Sequence, residues 1–284
     1  MERIRLRLYH HSDGARVAYR EQGAGPALAL LHSALLSHKE WEPAVEQLAD
    51  RFRVVLPDLP LHGDSEHRPE HPYTIDWFAE VLGGFAHEVL GPRPLIAGHD
   101  IGAEILLRAI ADGHLEPERV VLMPSRLHAS ASRPWRRRAW RVAASAAAIP
   151  GLDWLLSYAA PAVFAPERGI DLSARANPAA ADLVRHAFAD VPGNAALARS
   201  WAKLARTWPA GAQTQLLGLY RRLELPVLLL WADHDQLHPL SVAEEALALL
   251  PQGQLRVLES TGFLLAYDDP VGLARELAAF CSSR

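Results

Sequence analysis

The chain has 284 residues, half of them hydrophobic and 22% charged, which excludes a disordered chain, since disorder needs low hydrophobicity and high net charge. With 29 Lys plus Arg against 33 Asp plus Glu, the formal net charge of −4 creates no strong field for nucleic acid or an anionic membrane. One cysteine, Cys281, can form no internal disulfide, and no apolar run reaches the roughly 18 residues of a membrane helix. Met1 to Leu6 also lack the apolar core of a signal peptide, so a soluble protein of the cytoplasm is expected.

In chain order, two strands are predicted at Arg5–Tyr9 and Arg16–Arg20, joined by a turn at Ser12-Asp13-Gly14. A buried strand, Ala27–Leu31, precedes a polar loop and a helix over Lys39–Leu48. Further strands follow at Arg53–Leu56, Pro94–Ala97 and Val120–Met123, with a helix over Ile101–Ala111 that ends at Asp112-Gly113. From about Ser125 to Arg222 no strand is evident, and Ala, Arg, Trp and Leu recur at helical spacing. Strands resume at Pro226–Trp231 and Gln254–Leu258, and a helix over Pro270–Cys281 closes the chain. Alternating short apolar runs and longer amphipathic stretches predict an α/β core with a mostly parallel sheet. That core comprises residues 1–124 and 223–284, and residues 125–222 form an inserted helical cap, since so long an insertion is commonly a lid.

Between the strand at Pro94 and the helix at Ile101 lies Gly98-His99-Asp100-Ile101-Gly102. This is the frame of a nucleophile elbow, in which a strained strand-to-helix turn projects the central side chain and flanking glycines relieve crowding. Backbone N–H groups beside such a turn can receive a developing oxyanion. The central residue here is Asp100. An aspartate in this place also suits a simple helix N-cap, and His99 faces away from the site in such turns.

With this turn the chain resembles the α/β-hydrolases, in the branch with an aspartate nucleophile that contains epoxide hydrolases and haloalkane dehalogenases. Leu31-His32-Ser33-Ala34 is similar to the His-Gly loop after the third strand, with Ser33 in the glycine position. Asp58-Leu59-Pro60-Leu61-His62-Gly63-Asp64-Ser65 is similar to the next block of that pattern, and Trp231-Ala232-Asp233-His234-Asp235 to the loop that carries the triad acid. The resemblance implies an eight-stranded sheet, Asp100 as nucleophile, Asp235 as acid in preference to Asp233, and an oxyanion hole from the N–H groups of Ala34 and Ile101. It also places Ser33 near that hole.

In that branch a carboxylate attacks carbon, and a histidine then activates water against the ester. The family carries this histidine in a Gly-His pair before an acidic-Pro sequence. Here Ser260-Thr261-Gly262-Phe263 precedes Asp268-Asp269-Pro270, so Phe263 fills the histidine slot and has no proton to move. Three consequences stay open: another group, such as His238, His32 or His38, replaces the base; Asp100 acts without an ester; or turnover is lost and the protein binds or traps a ligand.

Ala34 and Ile101 offer no side-chain N–H for a halide, Ile101 cannot pair with a substrate carboxylate, and Glu104 one turn on would repel an anion. The expected substrate is therefore an epoxide or similar electrophile in a hydrophobic small molecule. Trp135, Trp140, Trp154, Tyr158, Trp201, Trp208 and Tyr220 are aromatic groups of the insertion; of these Trp154, Tyr158, Trp201 and Tyr220, with His32, Ser33 and His238, are the candidate substrate contacts. The run Arg133, Arg136, Arg137, Arg138 and Arg141 reads as a solvated helix face. No metal-ligand spacing or dinucleotide-type glycine loop occurs, so no cofactor is implied.

Overall fold

The computed structural model describes residues 5–130, 141–142, 144–146, 149, 151–163, 167–187, 189–209 and 211–282. Its strands are β1 (Arg5–His10), β2 (Arg16–Gln22), β3 (Ala27–Leu31), β4 (Arg53–Pro57), β5 (Leu95–Gly98), β6 (Arg119–Leu122), β7 (Val227–Ala232) and β8 (Gly253–Leu258). They form one sheet in the order β1-β2-β4-β3-β5-β6-β7-β8. β2 pairs antiparallel with β1 and β4, and the remaining pairs are parallel. All eight predicted strands are present, with ends displaced by one or two residues.

Period-two alternation divides the core between the two faces of the sheet. Leu28, Leu30, Val54, Leu56, Val121, Leu228 and Leu230 pack beneath α1 (Glu42–Ala49) and the last helix, Pro270–Ser282. Ala29, Leu31, Val55, Ile96, Val120, Leu122 and Leu229 face α2 (Ile75–Phe85) and α3 (Ile101–Ala111). A strand covered on both faces reads as unbroken hydrophobics, and all six residues of β7 are buried. On β8, which pairs only with β7, Gln254, Arg256 and Val257 are exposed.

Local chemistry explains where predicted and observed elements part. The helix predicted over Lys39–Leu48 divides into a 3-10 turn at His38–Glu40 and α1, because Pro43 lacks the N–H an uninterrupted helix would need and instead starts the second one. The second helix, α2, lies where no element is predicted. Its polar stripe is narrow, with Asp76 and Glu80 the exposed residues at i, i+4 spacing, and its start is marked by Thr74, whose hydroxyl accepts from Trp77 N–H at 3.3 Å.

Between β6 and β7 the described residues form helices and no strand: α4 (Leu152–Val163), α5 (Glu167–Asp171), α6 (Ala179–Ala187), α7 (Ala195–Thr207) and α8 (Gln215–Tyr220). Then come α9 (Leu240–Leu247), α10 (Leu265–Asp268) and α11 (Pro270–Ser282). Two buried carboxylates tie the inserted helices to the sheet. Asp268 accepts from the N–H groups of Gly262, Ala174 and Arg175 at 2.7, 2.9 and 3.2 Å, and from the Ser173 hydroxyl. Glu104 on α3 receives two N–H groups of Arg126 at 3.0 and 2.7 Å, the Trp208 indole at 3.0 Å and the Gln213 amide at 3.2 Å. The expectation that Glu104 would repel an anion is thereby corrected, because its charge is already met by Arg126. Among the described residues no helix is long and apolar enough to cross a membrane.

Replacing Glu104 by Ala leaves the Arg126 guanidinium buried without its counter-charge. The expected cost is about 3–5 kcal/mol of folding free energy, read from denaturant unfolding of the variant against wild type.

Candidate active site

The carboxyl ends of β3, β5 and β7 converge on Asp100. This residue sits at φ 47° and ψ −115°, a strained backbone for a residue with a Cβ. The flanking glycines make the turn possible. A Cβ on Gly98 would lie 2.7 Å from Ala103 N, and one on Gly102 would lie 2.8 Å from Leu31 O and 2.9 Å from His32 O. The Asp100 side chain makes no capping hydrogen bond to its own helix, so the N-cap alternative does not describe it. Instead Oδ2 accepts the Ala34 N–H at 3.1 Å. Ile101 is the first residue of α3, so its N–H has no earlier helical carbonyl to serve.

Below this turn, Glu40 binds both the Ser33 loop and the turn before Asp100. It accepts the Ser33 N–H at 2.7 Å, the Ser33 hydroxyl at 2.8 Å and the Nδ1 of His99. The loop before Ala34 and the turn before Asp100 therefore share one buried carboxylate.

The imidazole facing Asp100 is His238. Its Nε2 lies 3.7 Å from Asp100 Oδ1, an ion-pair separation longer than a hydrogen bond. Its Nδ1 bonds Asp235 Oδ2 at 2.9 Å, while Asp235 Oδ1 accepts the Leu237 N–H at 2.7 Å. The Trp231 indole fixes the loop by donating to the His238 carbonyl at 3.0 Å. Phe263 stacks on the His238 ring, with centroids 5.7 Å apart and planes 28° from parallel, and also meets the His99 ring at 4.4 Å. The residue in the family's histidine slot thus packs against a histidine supplied by the β7 loop.

Electrostatics follow from this packing. Burial pulls the His238 imidazole down, but the Asp100 and Asp235 carboxylates outweigh it and raise the group to about 9. Burial pushes the Asp100 carboxyl up, and the His238 cation, His99 and the Ala34 N–H overcome this, holding it well below the usual carboxylate range. With a 17% exposed side chain, Asp100 still reaches open space, whereas that of Asp235 is sealed at 0%.

The other predicted contacts are distributed differently. His32, predicted to touch substrate, is fully buried; its Nδ1 bonds Ser33 O at 2.8 Å and its Nε2 accepts the Leu59 N–H at 2.9 Å, so no ring nitrogen is left for a ligand. Ser33 is equally buried and committed to Glu40. Trp154 and Tyr158 pack edge to face on the outer surface, each 52% exposed. Tyr220 is sealed in the core with no hydrogen-bond partner for its hydroxyl, beside the His128 ring. Trp201 meets His62 edge to face at 4.7 Å. His38 turns to Asp58 at 2.9 Å, and Asp233 accepts the N–H groups of Ser260 and Thr261. Arg141 is exposed, while Trp135, Trp140, Arg133, Arg136, Arg137 and Arg138 lie outside the described residues.

His62 is a site residue that sequence reasoning passed over. It lies at 2% exposure within reach of the Asp100 field, its Nδ1 bonds Pro60 O at 3.0 Å, and burial, then the neighbouring His32, lower it to about 3. Among the described residues His38, Asp58 and Asp64 form the one cluster with metal-like spacing. Arg20 already supplies their positive charge, 2.5 Å from Asp64 and 3.7 Å from Asp58.

Residues 26–270 match the profile of the family described as alpha/beta hydrolase fold. An uncharacterised protein of Mycobacterium tuberculosis, Rv2715, is 26% identical over 263 residues, covering 90% of this chain and 75% of its own. The bifunctional epoxide hydrolase 2 of Rattus norvegicus is 34% identical over 109 residues, 38% of this chain and 19% of its own. In structure, the epoxide hydrolase CorEH superposes with a TM-score of 0.78 at 18% identity, covering 98% of both chains, which shows the shared fold.

His238 gives stability a defined pH dependence. Its folded value of about 9 exceeds the unfolded value of about 6.5, so its contribution is full below pH 6.5 and is lost as pH rises through 9. Thermal unfolding from pH 6 to 10 is expected to show wild-type stability declining across that window relative to His238→Gln.

Proposed function

The chain belongs to the α/β-hydrolase family, and from that premise we propose that it is an epoxide hydrolase-like enzyme, opening a hydrophobic epoxide or similar electrophile through an ester on Asp100. The observation that carries this reading is the Asp235–His238–Asp100 alignment, at 2.9 and 3.7 Å, with the second Asp100 oxygen on the Ala34 N–H.

In the proposed cycle Oδ1 attacks an electrophilic carbon, and Oδ2 becomes the carbonyl oxygen of the ester, held by the N–H groups of Ala34 and Ile101. Esterification removes the Asp100 charge, so one of the two anions holding the His238 proton disappears and the imidazole becomes a competent base. Asp235 keeps that imidazole oriented. Water activated at Nε2 attacks Cγ, the ester cleaves, and Asp100 returns as a carboxylate.

Substrate preference rests on the surroundings. Ala34 and Ile101 provide no side-chain donor for a halide, and Phe263 contributes an apolar wall beside His238. The inserted residues 125–222 would serve as a lid over this site, consistent with their ties through Glu104 and Asp268. The alternative of a ligand-binding protein without turnover drew on Phe263 as a lost base; the imidazole of His238 facing Asp100 favours the enzyme.

Two measurements test the reading. Asp100→Asn is expected to lower turnover of an aryl epoxide on the order of 10⁴-fold or more with the fold retained. With wild-type enzyme in excess in ¹⁸O-water, the first turnover should place the label in the peptide containing Asp100 and leave the diol unlabelled; label appearing directly in the diol would exclude the ester.

A further inference from the structure

We propose that His238 is also the general acid of ring opening, protonating the epoxide oxygen as Asp100 attacks, and that the site is thereby matched to leaving groups that depart as alkoxides. This rests on the ester reading above and extends it to the step before the ester.

Opening an epoxide creates an alkoxide that needs a proton, and a phenol aimed at the site could provide one. All six tyrosines of the chain fall within the described residues. The Tyr73 hydroxyl donates to Arg68 O at 2.8 Å, and that of Tyr267 to Lys39 O at 3.1 Å. Tyr158 is on the outer surface, and Tyr9 and Tyr19 are buried against Phe85. Only Tyr220 keeps a buried hydroxyl without a partner, and burial and the charge of Glu104 both work against its giving up a proton.

The nearby imidazoles narrow the choice. His62 commits its one proton to Pro60 O and stays neutral, so its Nε2 has nothing to donate. His99 is turned to Glu40. His238 lies between two carboxylates, and the groups facing it are Asp100 from the head of α3, Asp235 from its own loop and the uncharged Phe263 ring from the loop after β8. This arrangement keeps the cation in the resting enzyme. Its Nδ1 proton is held by Asp235, while the Nε2 proton meets Asp100 Oδ1 only at 3.7 Å and is available to an oxygen arriving beside that atom.

The proton inventory closes. Oδ1 forms a bond to carbon, the ring C–O bond breaks, and the oxygen takes the Nε2 proton, leaving a neutral ester, an alcohol and a neutral imidazole. That imidazole then accepts a proton from the attacking water. As the tetrahedral adduct collapses, the departing alkoxide takes this proton, and the carboxylic acid so formed returns its own to His238. One diol leaves, and the starting charges are restored.

The test separates acid from base by the leaving group. Styrene oxide needs a proton, whereas 2-phenylethyl bromide releases bromide and needs none. Excess His238→Gln is treated with each and followed by intact mass. Bromide should accumulate a stable Asp100 ester, because hydrolysis has lost its base. Epoxide should alkylate about 100-fold or more slowly than in wild type. Tyr220→Phe should alkylate with epoxide at the wild-type rate.

In wild type, rapid-quench alkylation by epoxide should fall above pH 9 while that by bromide does not, which tests the idea even if His238→Gln fails to fold. Rapid epoxide ester formation in His238→Gln, loss of it in Tyr220→Phe, or an epoxide rate flat through pH 9 would each overturn the proposal and leave His238 as base alone. Absence of any Asp100 ester with both probes, together with no wild-type turnover, would overturn the underlying ester reading itself.

Discussion

A single buried cation between two carboxylates organises this molecule. His238 meets Asp235 at 2.9 Å and Asp100 at 3.7 Å, so one imidazole faces both carboxylates. The three groups arrive from two places in the chain, the head of α3 and the loop after β7, so β5, β6 and β7 must keep their register for the charges to balance. Phe263 completes the arrangement as a flat apolar wall against the imidazole.

The support beneath Asp100 follows the same economy. Glu40 bridges the Ser33–Ala34 loop and the His99 turn, so the Ala34 N–H and the Asp100 carboxylate it bonds are positioned from one anchor. The strain at Asp100 is tolerated because Gly98 and Gly102 allow the turn to lie against β3 and α3, where any Cβ would collide with backbone. Glu104 and Asp268 then tie the inserted helices to this framework: Glu104 takes its donors from residues 125–222, and Asp268 takes them from both parts.

The position of His238 bears on the proposed triad. What such chemistry requires is an imidazole within reach of the nucleophile with an anion behind it, and that can be met from either of two adjacent loops. Asp235 and His238 lie three residues apart in one loop, which lets the Nδ1 contact form locally. The long-range contact is left to Asp100 alone.

Much of this was written in the order of the residues. Unbroken apolar runs determined the strands, and the Gly-x-Asp-x-Gly frame determined the elbow, because backbone sterics there admit few alternatives. Asp235 followed from its place after β7. Sequence could not decide which histidine faces Asp100, since thirteen others share the chain and a loop's direction depends on what packs against it. Nor could it show that His32 and Ser33 are consumed internally or that Trp154 and Tyr158 face outward. Those outcomes depend on the Trp231 anchor, the Phe263 stack and the folding of the insertion, which exist only once distant segments meet.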